Sequence, residues 1–334
     1  MAVTIADVAR EAGVSTATVS RVLSGVGPAR PETRARVLNA ARDLEYRPSL
    51  VARSLKQRAT RTLGLIVTDI ENPYFPQLVR AVEDAANAEG YAILLCNADE
   101  DPEREATYLD VLVERRVDGM IVAASTIGTR QREWLASPPV PVVLVNTRSP
   151  QADLPSVASD NRAGGRLAAR HMLELGHRRF GYLMPPPRNL DGPNRIAGVR
   201  DALRGVPPAT LAIGHGGATV AGGEAAMREL LSARPRPTAI VAYNDLMAIG
   251  ALRAIRRAGL QAPGDMSLVG FDDVAFAAYA EPALTTVRQE TAEMGRWAVA
   301  TLTERLGPRG AASAAHVVLP VRLEVRASTG PPPA

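Results

Sequence analysis

The chain has one cysteine, Cys96, one lysine, Lys56, and only 4% aromatic residues in its length of 334. A single cysteine excludes an internal disulfide and any cysteine-rich metal site. The four histidines, His171, His177, His215 and His316, are scattered without metal-ligand spacing, so no metal and no cofactor is expected. No apolar run approaches the ~18 residues that a membrane span needs. The N-terminus reads as a helix cap rather than a signal peptide, so the expected compartment is the cytoplasm. There is no G-x-S-x-G elbow and no G-x-x-x-x-G-K phosphate loop. Gly214-His215-Gly216-Gly217 is too irregular for a dinucleotide fingerprint, and no catalytic residue is assigned.

What is present is unevenly distributed. The net charge is +4 from 39 Lys/Arg and 35 Asp/Glu, but residues 1–61 hold eleven Lys/Arg against five Asp/Glu, which leaves 28 against 30 for the rest. All the positive excess therefore lies in the first sixth of the chain. A small basic module on a near-neutral body suits phosphate binding, although a solvated arginine-rich face has the same composition. The length allows two or three domains, and 46% hydrophobic with 22% charged residues is ordinary for a soluble globular protein.

The first two dozen residues are the most informative. Thr4 is placed as an N-cap with Asp7 three residues on, and Ile5, Val8 and Ala9 share one helical face. Gly13 ends that helix at a corner that favours positive φ. Ser15 caps a second helix in which Val19, Val22 and Leu23 face inward and Thr16, Ala17, Thr18, Ser20 and Arg21 face outward. Two short amphipathic helices around a glycine occur in many helical subdomains. Here, small hydroxyl side chains and one arginine leave the outer face able to approach base edges and phosphates. The pattern is a helix-turn-helix whose second helix fits a DNA major groove. A third helix opens at Pro31-Glu32-Thr33 and carries Val37, Ala40, Ala41 and Leu44 before Arg47-Pro48 breaks it. Residues 49–58, S-L-V-A-R-S-L-K-Q-R, form a short capped pattern. It suits either a hinge helix that folds on DNA with an apolar wedge in the minor groove, or an ordinary linker.

From Thr62 the texture changes to alternating strand and helix. Apolar runs predict strands at 63–67, 92–95, 119–123 and 140–145, with helices at 77–88 and 101–115. The series restarts after Asp160 with helices at 161–175, 194–204, 219–232 and 245–257 and strands at 180–183, 211–213, 239–242 and 267–271. Short apolar strands between amphipathic helices imply parallel βαβ units buried on both faces, and two such series imply two similar lobes. Ligands bind beyond the carboxyl ends of such strands. The site candidates are therefore residues 69–75, 97–99, 125, 146–148, 185–195, 243–245 and 272–273.

Several motifs follow one another along almost the whole chain. They are V-T-I-A-D-V-A-R-E-A-G-V-S-T-A-T-V-S-R-V-L at 3–23, T-R-A-R-V-L-N-A-A-R-D-L-E-Y-R-P at 33–48 and A-R-S-L-K at 52–56. The body adds I-E-N-P-Y-F at 70–75, S-D-N at 159–161, L-G-H-R-R at 175–179, N-D-L-M-A-I-G at 244–250, G-F-D-D at 270–273 and P-A-L-T-T-V at 282–287. In these the sequence resembles the LacI/GalR family of bacterial transcription regulators. The resemblance implies an N-terminal all-α helix-turn-helix headpiece and an α/β, two-lobed, periplasmic-binding-protein-like body with parallel sheets. It implies a DNA-binding domain at 1–47, a hinge helix and linker at 48–61, and a ligand-binding and dimerisation domain at 62–330. The first lobe would take 62–160 plus about 290–320, and the second about 161–288 plus 321–330.

The implied partners are a near-palindromic operator DNA, a second copy of the chain as a homodimer, and a small-molecule effector such as a sugar or related polyol, with no membrane. DNA contacts carry over onto Thr4, Ser15, Thr16, Ala17, Thr18, Ser20, Arg21, Ala52, Leu55 and Lys56, with Leu55 as the minor-groove wedge. Effector contacts carry over onto Tyr74, Phe75, Asn146, Arg195, Asn244 and Asp272, with Asn189 and Asp191 as further candidates in a proline-rich loop. An Arg195–Asp272 pair would also serve as an interlobe salt bridge. Three features depart from the family pattern. Pro48-Ser49 replaces the common Pro-Asn, the stretch Gly216-Gly217-Ala218 lacks the stacking aromatic of several sugar-responsive members, and S-T-G-P-P-P-A at 328–334 carries no tetramer-forming heptads. The body alone also suits a transport-associated solute-binding protein, an alternative that the basic module argues against.

Overall fold

The computed structural model describes residues 3–24, 28–46, 59–124, 127–149, 153–186, 191–307 and 315–333. The chain divides into two units, Met1–Arg61 and Thr62–Ala334. The hinge residues Ala52, Leu55 and Lys56 lie outside the described residues, as does Asn189.

The first unit holds three helices, α1 (Ile5–Glu11), α2 (Thr16–Ser24) and α3 (Pro31–Asp43). Helix α1 starts where the Thr4 backbone N–H and hydroxyl both donate to the Asp7 carboxylate, at 3.0 and 2.7 Å. These bonds hold the Asp7 carboxyl below its usual range. Gly13 turns the chain at φ +62°, and the Thr18 amide donates to the Ser15 hydroxyl at 3.2 Å to cap α2. Val8, Ala9, Ala12, Val19, Val22, Val37, Ala40 and Ala41 form a small common core. A core this size gives the headpiece little stability to spare.

The second unit is built on two six-stranded sheets. The first orders its strands β11-β5-β4-β3-β1-β2 and is wholly parallel. Its strands are β1 (Thr62–Val67), β2 (Ala92–Asn97), β3 (Gly119–Ala123), β4 (Val142–Val145), β5 (Ser156–Ser159) and β11 (His316–Leu319). Its helices are α4 (Tyr74–Ala88), α5 (Pro102–Glu114), α6 (Thr129–Ala136) and α12 (Thr291–Leu306). The second sheet orders β12-β10-β9-β8-β6-β7, parallel except for antiparallel β12. It comprises β6 (Arg179–Met184), β7 (Thr210–His215), β8 (Ala239–Ala242), β9 (Ser267–Asp272), β10 (Thr285–Arg288) and β12 (Arg322–Glu324). Around it stand α7 (Asn161–Glu174), α8 (Asp191–Leu203), α9 (Val220–Ser232), α10 (Asp245–Arg257) and the short α11 (Ala275–Tyr279).

The chain passes between the sheets three times, from β5 to α7, from β10 to α12, and from β11 to β12. Each lobe is therefore discontinuous in sequence. Strands β3, β4, β8 and β9 are buried along their whole length, which is why they read as unbroken apolar runs. In both sheets the second strand lies on one side of the first and the third on the other, which opens a crevice at the carboxyl ends.

Three details differ from the periodicity reading. Helix α4 begins at Tyr74 rather than 77, because the Asn72 carboxamide oxygen accepts from the Tyr74 amide at 3.1 Å and Pro73 precedes the first turn. Helix α8 begins at Asp191 rather than 194, with the aspartate in its first turn. Strand β5, S-V-A-S, has no apolar run to reveal it. Its serines serve hydrogen bonds instead, Ser156 to the His316 ring at 2.9 Å and Ser159 to the Gln289 carboxamide at 2.7 Å.

Candidate functional site

On the headpiece, Thr16, Ala17 and Arg21 are exposed along the outer side of α2, while Val19 and Val22 are buried beneath them. Ser15 and Thr18 share a hydrogen bond of 3.0 Å, and Ser20 is half-buried. Thr4 is exposed at the start of α1. The outer face is thus small, polar and singly cationic, a shape that lets a helix backbone come close to a groove.

In the body, a cleft of about 420 Å³ opens at the carboxyl ends of both sheets. Tyr74, Phe75, Asn146, Arg195, Asn244 and Asp272 all line it, together with Asp191, Tyr243 and Gln289. They come from distant parts of the chain and meet because each stands just past a strand end or at a helix start.

Arg195 is the centre of the second-lobe wall, with a side chain only 4% exposed. Its Nε donates to Asn161 Oδ1 at 2.8 Å and its Nη1 to the Tyr243 carbonyl at 2.6 Å. The guanidinium lies over the rings of Phe271 and Tyr243, at 3.6 and 4.6 Å to the centroids. Asp272 and Asp191 stand 3.7 and 3.9 Å away. Both belong to the same lobe as Arg195, so the pair lies within one wall rather than forming the expected interlobe salt bridge. A buried cation with two donors bonded, two carboxylates beside it and two rings against it is held in a narrow range of orientations. Its helix is set equally firmly. Gly165 of α7 and Gly198 of α8 face the partner helix so closely that a Cβ on either would strike a backbone carbonyl, of Arg195 and Arg162 respectively.

Asp272 ends β9 at φ +116°, a strained setting for a non-glycine residue. Burial pushes its carboxyl up to about 7, against the opposing pull of Arg195 and the bond donated by Gln289 Nε2 at 2.7 Å, while Asp191 adds to the rise. Burial likewise raises Asp191. Behind this wall the buried Asp245 accepts from the Val274 amide at 2.9 Å and the Thr286 hydroxyl at 2.5 Å. It fixes the loop after β9, and burial followed by the charge of Asp272 holds its carboxyl well above the usual range.

On the first-lobe wall, Asn146 donates to the Tyr74 hydroxyl at 2.5 Å and accepts from the Ser159 amide at 3.2 Å. Burial, ahead of the charges of Asp272 and Asp191, raises the Tyr74 phenol. Tyr74 and Phe75 meet edge to face with centroids 5.3 Å apart. Asn244 serves mainly its own wall. Its Oδ1 caps α10 by accepting from Met247 at 2.8 Å, and its Nδ2 donates to the Ala218 carbonyl at 2.9 Å. Across the crossovers, Ser159 donates to Gln289 Oε1 at 2.7 Å while the same carboxamide donates to Asp272. Gln289 therefore joins the two lobes at the base of the cleft. Sequence reading overlooked it, although it follows directly after β10 and the rule that residues beyond a strand end line the site would have found it.

Paired acceptors, a fixed guanidinium, carboxamides and an aromatic edge in one cleft suit a polar, hydroxyl-bearing small molecule.

Comparison with known proteins adds three kinds of likeness. Residues 4–49 match the model of bacterial regulatory proteins of the lacI family, and residues 169–329 that of the periplasmic binding protein-like domain. The HTH-type transcriptional repressor PurR of Mannheimia succiniciproducens is 36% identical over 92% of this chain and 93% of its own length. Among solved structures, the lac repressor dimer bound to operator and the anti-inducer ONPF superposes with a TM-score of 0.88 at 28% identity, covering 99% of this chain and 100% of that one. The complex of the transcriptional regulator CelR with cellobiose gives 0.74 at 31% identity, covering 98% and 99%.

Proposed function

The chain belongs to the lacI family of bacterial regulatory proteins, and from that premise we propose that it is a dimeric, operator-binding transcriptional repressor of the cytoplasm, controlled by a small polar effector in the interlobe cleft. The observation that carries the effector reading is the convergence of Tyr74, Phe75, Asn146, Arg195, Asn244 and Asp272 on a single cleft between two lobes. Relatives with this architecture are transcriptional repressors, and the cleft is read as a binding site rather than a catalytic one. The structural neighbour CelR holds cellobiose, which supports a sugar or related polyol as the class of ligand.

In this reading Thr16, Ala17 and Arg21 read bases, while Thr4, Ser15, Thr18 and Ser20 position the helix or contact phosphates. Ala52, Leu55 and Lys56 serve the minor groove. The effector acts by binding one lobe arrangement better than the other, since only differential affinity shifts such an equilibrium. Gln289, bonded to both lobes, lies where that difference is registered. The second copy finds apolar surface on edge strand β2, at Leu94 and Leu95, and on α11, at Phe276 and Tyr279, all of which are exposed in the single chain.

The test is selection from a random DNA library by the purified full-length protein. It recovers a near-palindromic site whose affinity falls steeply with salt as phosphate contacts are screened. Recovery of no symmetric sequence sinks the repressor reading. Steady turnover of a candidate sugar sinks the non-catalytic reading of the cleft.

A further inference from the structure

The cleft carries an excess of negative charge that its own cation does not offset. Among its described lining residues are six carboxylates, Asp69, Glu71, Asp99, Glu100, Asp191 and Asp272, against one basic side chain, Arg195. Arg195 is already committed. Asp191 and Asp272 flank it, Asn161 and the Tyr243 carbonyl take its hydrogen bonds, and two rings cover its faces. The second-lobe wall therefore presents a cation matched by two acids rather than a free positive group.

Among the described residues, the opposite wall has no cation lining the cavity. Asp69 follows β1 and binds the Glu71 amide at 2.8 Å, and Asp99 pairs with Arg104 at the exposed rim at 3.1 Å. The backbone amides of Glu71 and Glu100 are bonded, to Asp69 and to the Thr68 carbonyl, but their side-chain carboxylates have no hydrogen-bond or ion-pair partner among the described residues. Partial burial and the neighbouring charges of Asp69 and Asp99 hold the Glu100 carboxyl above its usual range. Like charges gathered at one wall attract a positive ligand and repel a phosphate or carboxylate. No group of three or more acids, histidines or cysteines among the described residues is close enough to hold a metal ion. The charges are spread along a wall, an arrangement that suits an ammonium carried by an organic ligand. Tyr74 and Phe75 line the same cavity, and aromatic faces add to the binding of such a group.

We infer that the effector is a cationic, amine-bearing polyol, an amino sugar or aminocyclitol, with its amine against the Asp69–Glu100 wall and its hydroxyls toward Arg195 and Asp272. This rests on the reading of the cleft as the effector site. It excludes sugar phosphates and sugar acids as effectors, and it makes the neutral parent sugar the poorer ligand.

Calorimetry on the full-length protein tests it with matched probes: glucosamine, galactosamine and the aminocyclitol 2-deoxystreptamine; glucose, galactose and N-acetylglucosamine; and glucose 6-phosphate. A free-amine probe binds about tenfold or more tightly than its neutral counterpart at about 50 mM salt, and the ratio shrinks at about 500 mM as charges are screened. Glu100→Gln and Asp69→Asn each bring the ratio toward one, and the wild-type salt series gives an answer even if a variant misfolds. A neutral or phosphorylated probe that binds as well as or better than its amine counterpart overturns the charge assignment and leaves the cleft reading standing. If no probe of any class binds, the cleft reading itself fails, and this inference fails with it.

Discussion

Arg195 is held by two hydrogen bonds, two carboxylates and two rings, so its removal is felt twice. Arg195→Ala leaves Asp191 and Asp272 buried without their counter-charge, and loss of one partner from such a group costs about 3–5 kcal/mol. Urea unfolding should show that loss as a lower midpoint, and the effector should no longer raise the melting temperature. A mutant that responds to effector as the wild type does refutes the cleft assignment. Asp272 adds a pH dependence whose sign is fixed by burial. Its carboxyl sits at about 7 in the folded protein against an ordinary value of 3.8, so the folded state holds a proton that the unfolded chain has released. Stability from this group therefore falls as pH rises between those values and levels off above about 7. Effector binding runs the other way, because the ligand hydroxyls facing Asp272 donate to the ionised acceptor. Affinity measured by calorimetry should rise from about pH 6 to pH 7, below the range in which a ligand amine gives up its own proton at about pH 8, and Asp272→Asn should flatten that rise. Tyr74, Phe75, Asn146, Arg195, Asn244 and Asp272 were legible in the sequence because each follows a recognisable strand or stands in a motif. The strand-end rule reached Gln289 only once β10 was known, because T-T-V-R has no apolar run to announce it. Ser159 stood in the S-D-N motif, while S-V-A-S gave no sign of its strand.

At the level of elements, the placement of Arg195 depends on how closely two helices approach. Helices α7 and α8 meet backbone to backbone at Gly165 and Gly198. Gly198→Ala forces them apart against the Arg162 carbonyl and should cost about 1–3 kcal/mol, with a weaker effector response as Arg195 leaves its slot. Urea denaturation and effector titration of the one variant measure both effects. Helix α2 depends instead on the residue that caps it, Ser15. Ser15→Ala removes the cap on the Thr18 amide and should destabilise the headpiece by about 1 kcal/mol, visible as a lowered first melting step with the body unchanged. The βα alternation was readable from periodicity, since β1, β3, β4, β8 and β9 are buried on both faces. The limits of α4 and α8 were not, because the Asn72 bond and the acidic first turn at Asp191 act locally and leave no periodic trace.

For the whole molecule, the proposed dimerisation and DNA binding would be linked, because a single headpiece with a small core and one exposed arginine on α2 offers limited affinity. Leu94→Asp with Leu95→Asp should yield monomers in sedimentation and weaken operator binding by more than about tenfold, a loss above 1.4 kcal/mol. Unchanged sedimentation would move the interface elsewhere. The three passages between lobes also bear on synthesis. The first sheet is complete only when β11, at His316–Leu319, pairs with β5, and its cover only when α12 packs on α4, β3, β4 and β5. The second sheet waits for Arg322–Glu324 to join β10. A growing chain on the ribosome thus carries two unfinished lobes until about residue 325 has emerged, with the buried faces of both exposed together. A transcript interrupted a few dozen codons early yields no half-repressor with one sound lobe. It should yield a polypeptide whose two sheets both keep an open edge, a form expected to aggregate or be degraded rather than to bind operator.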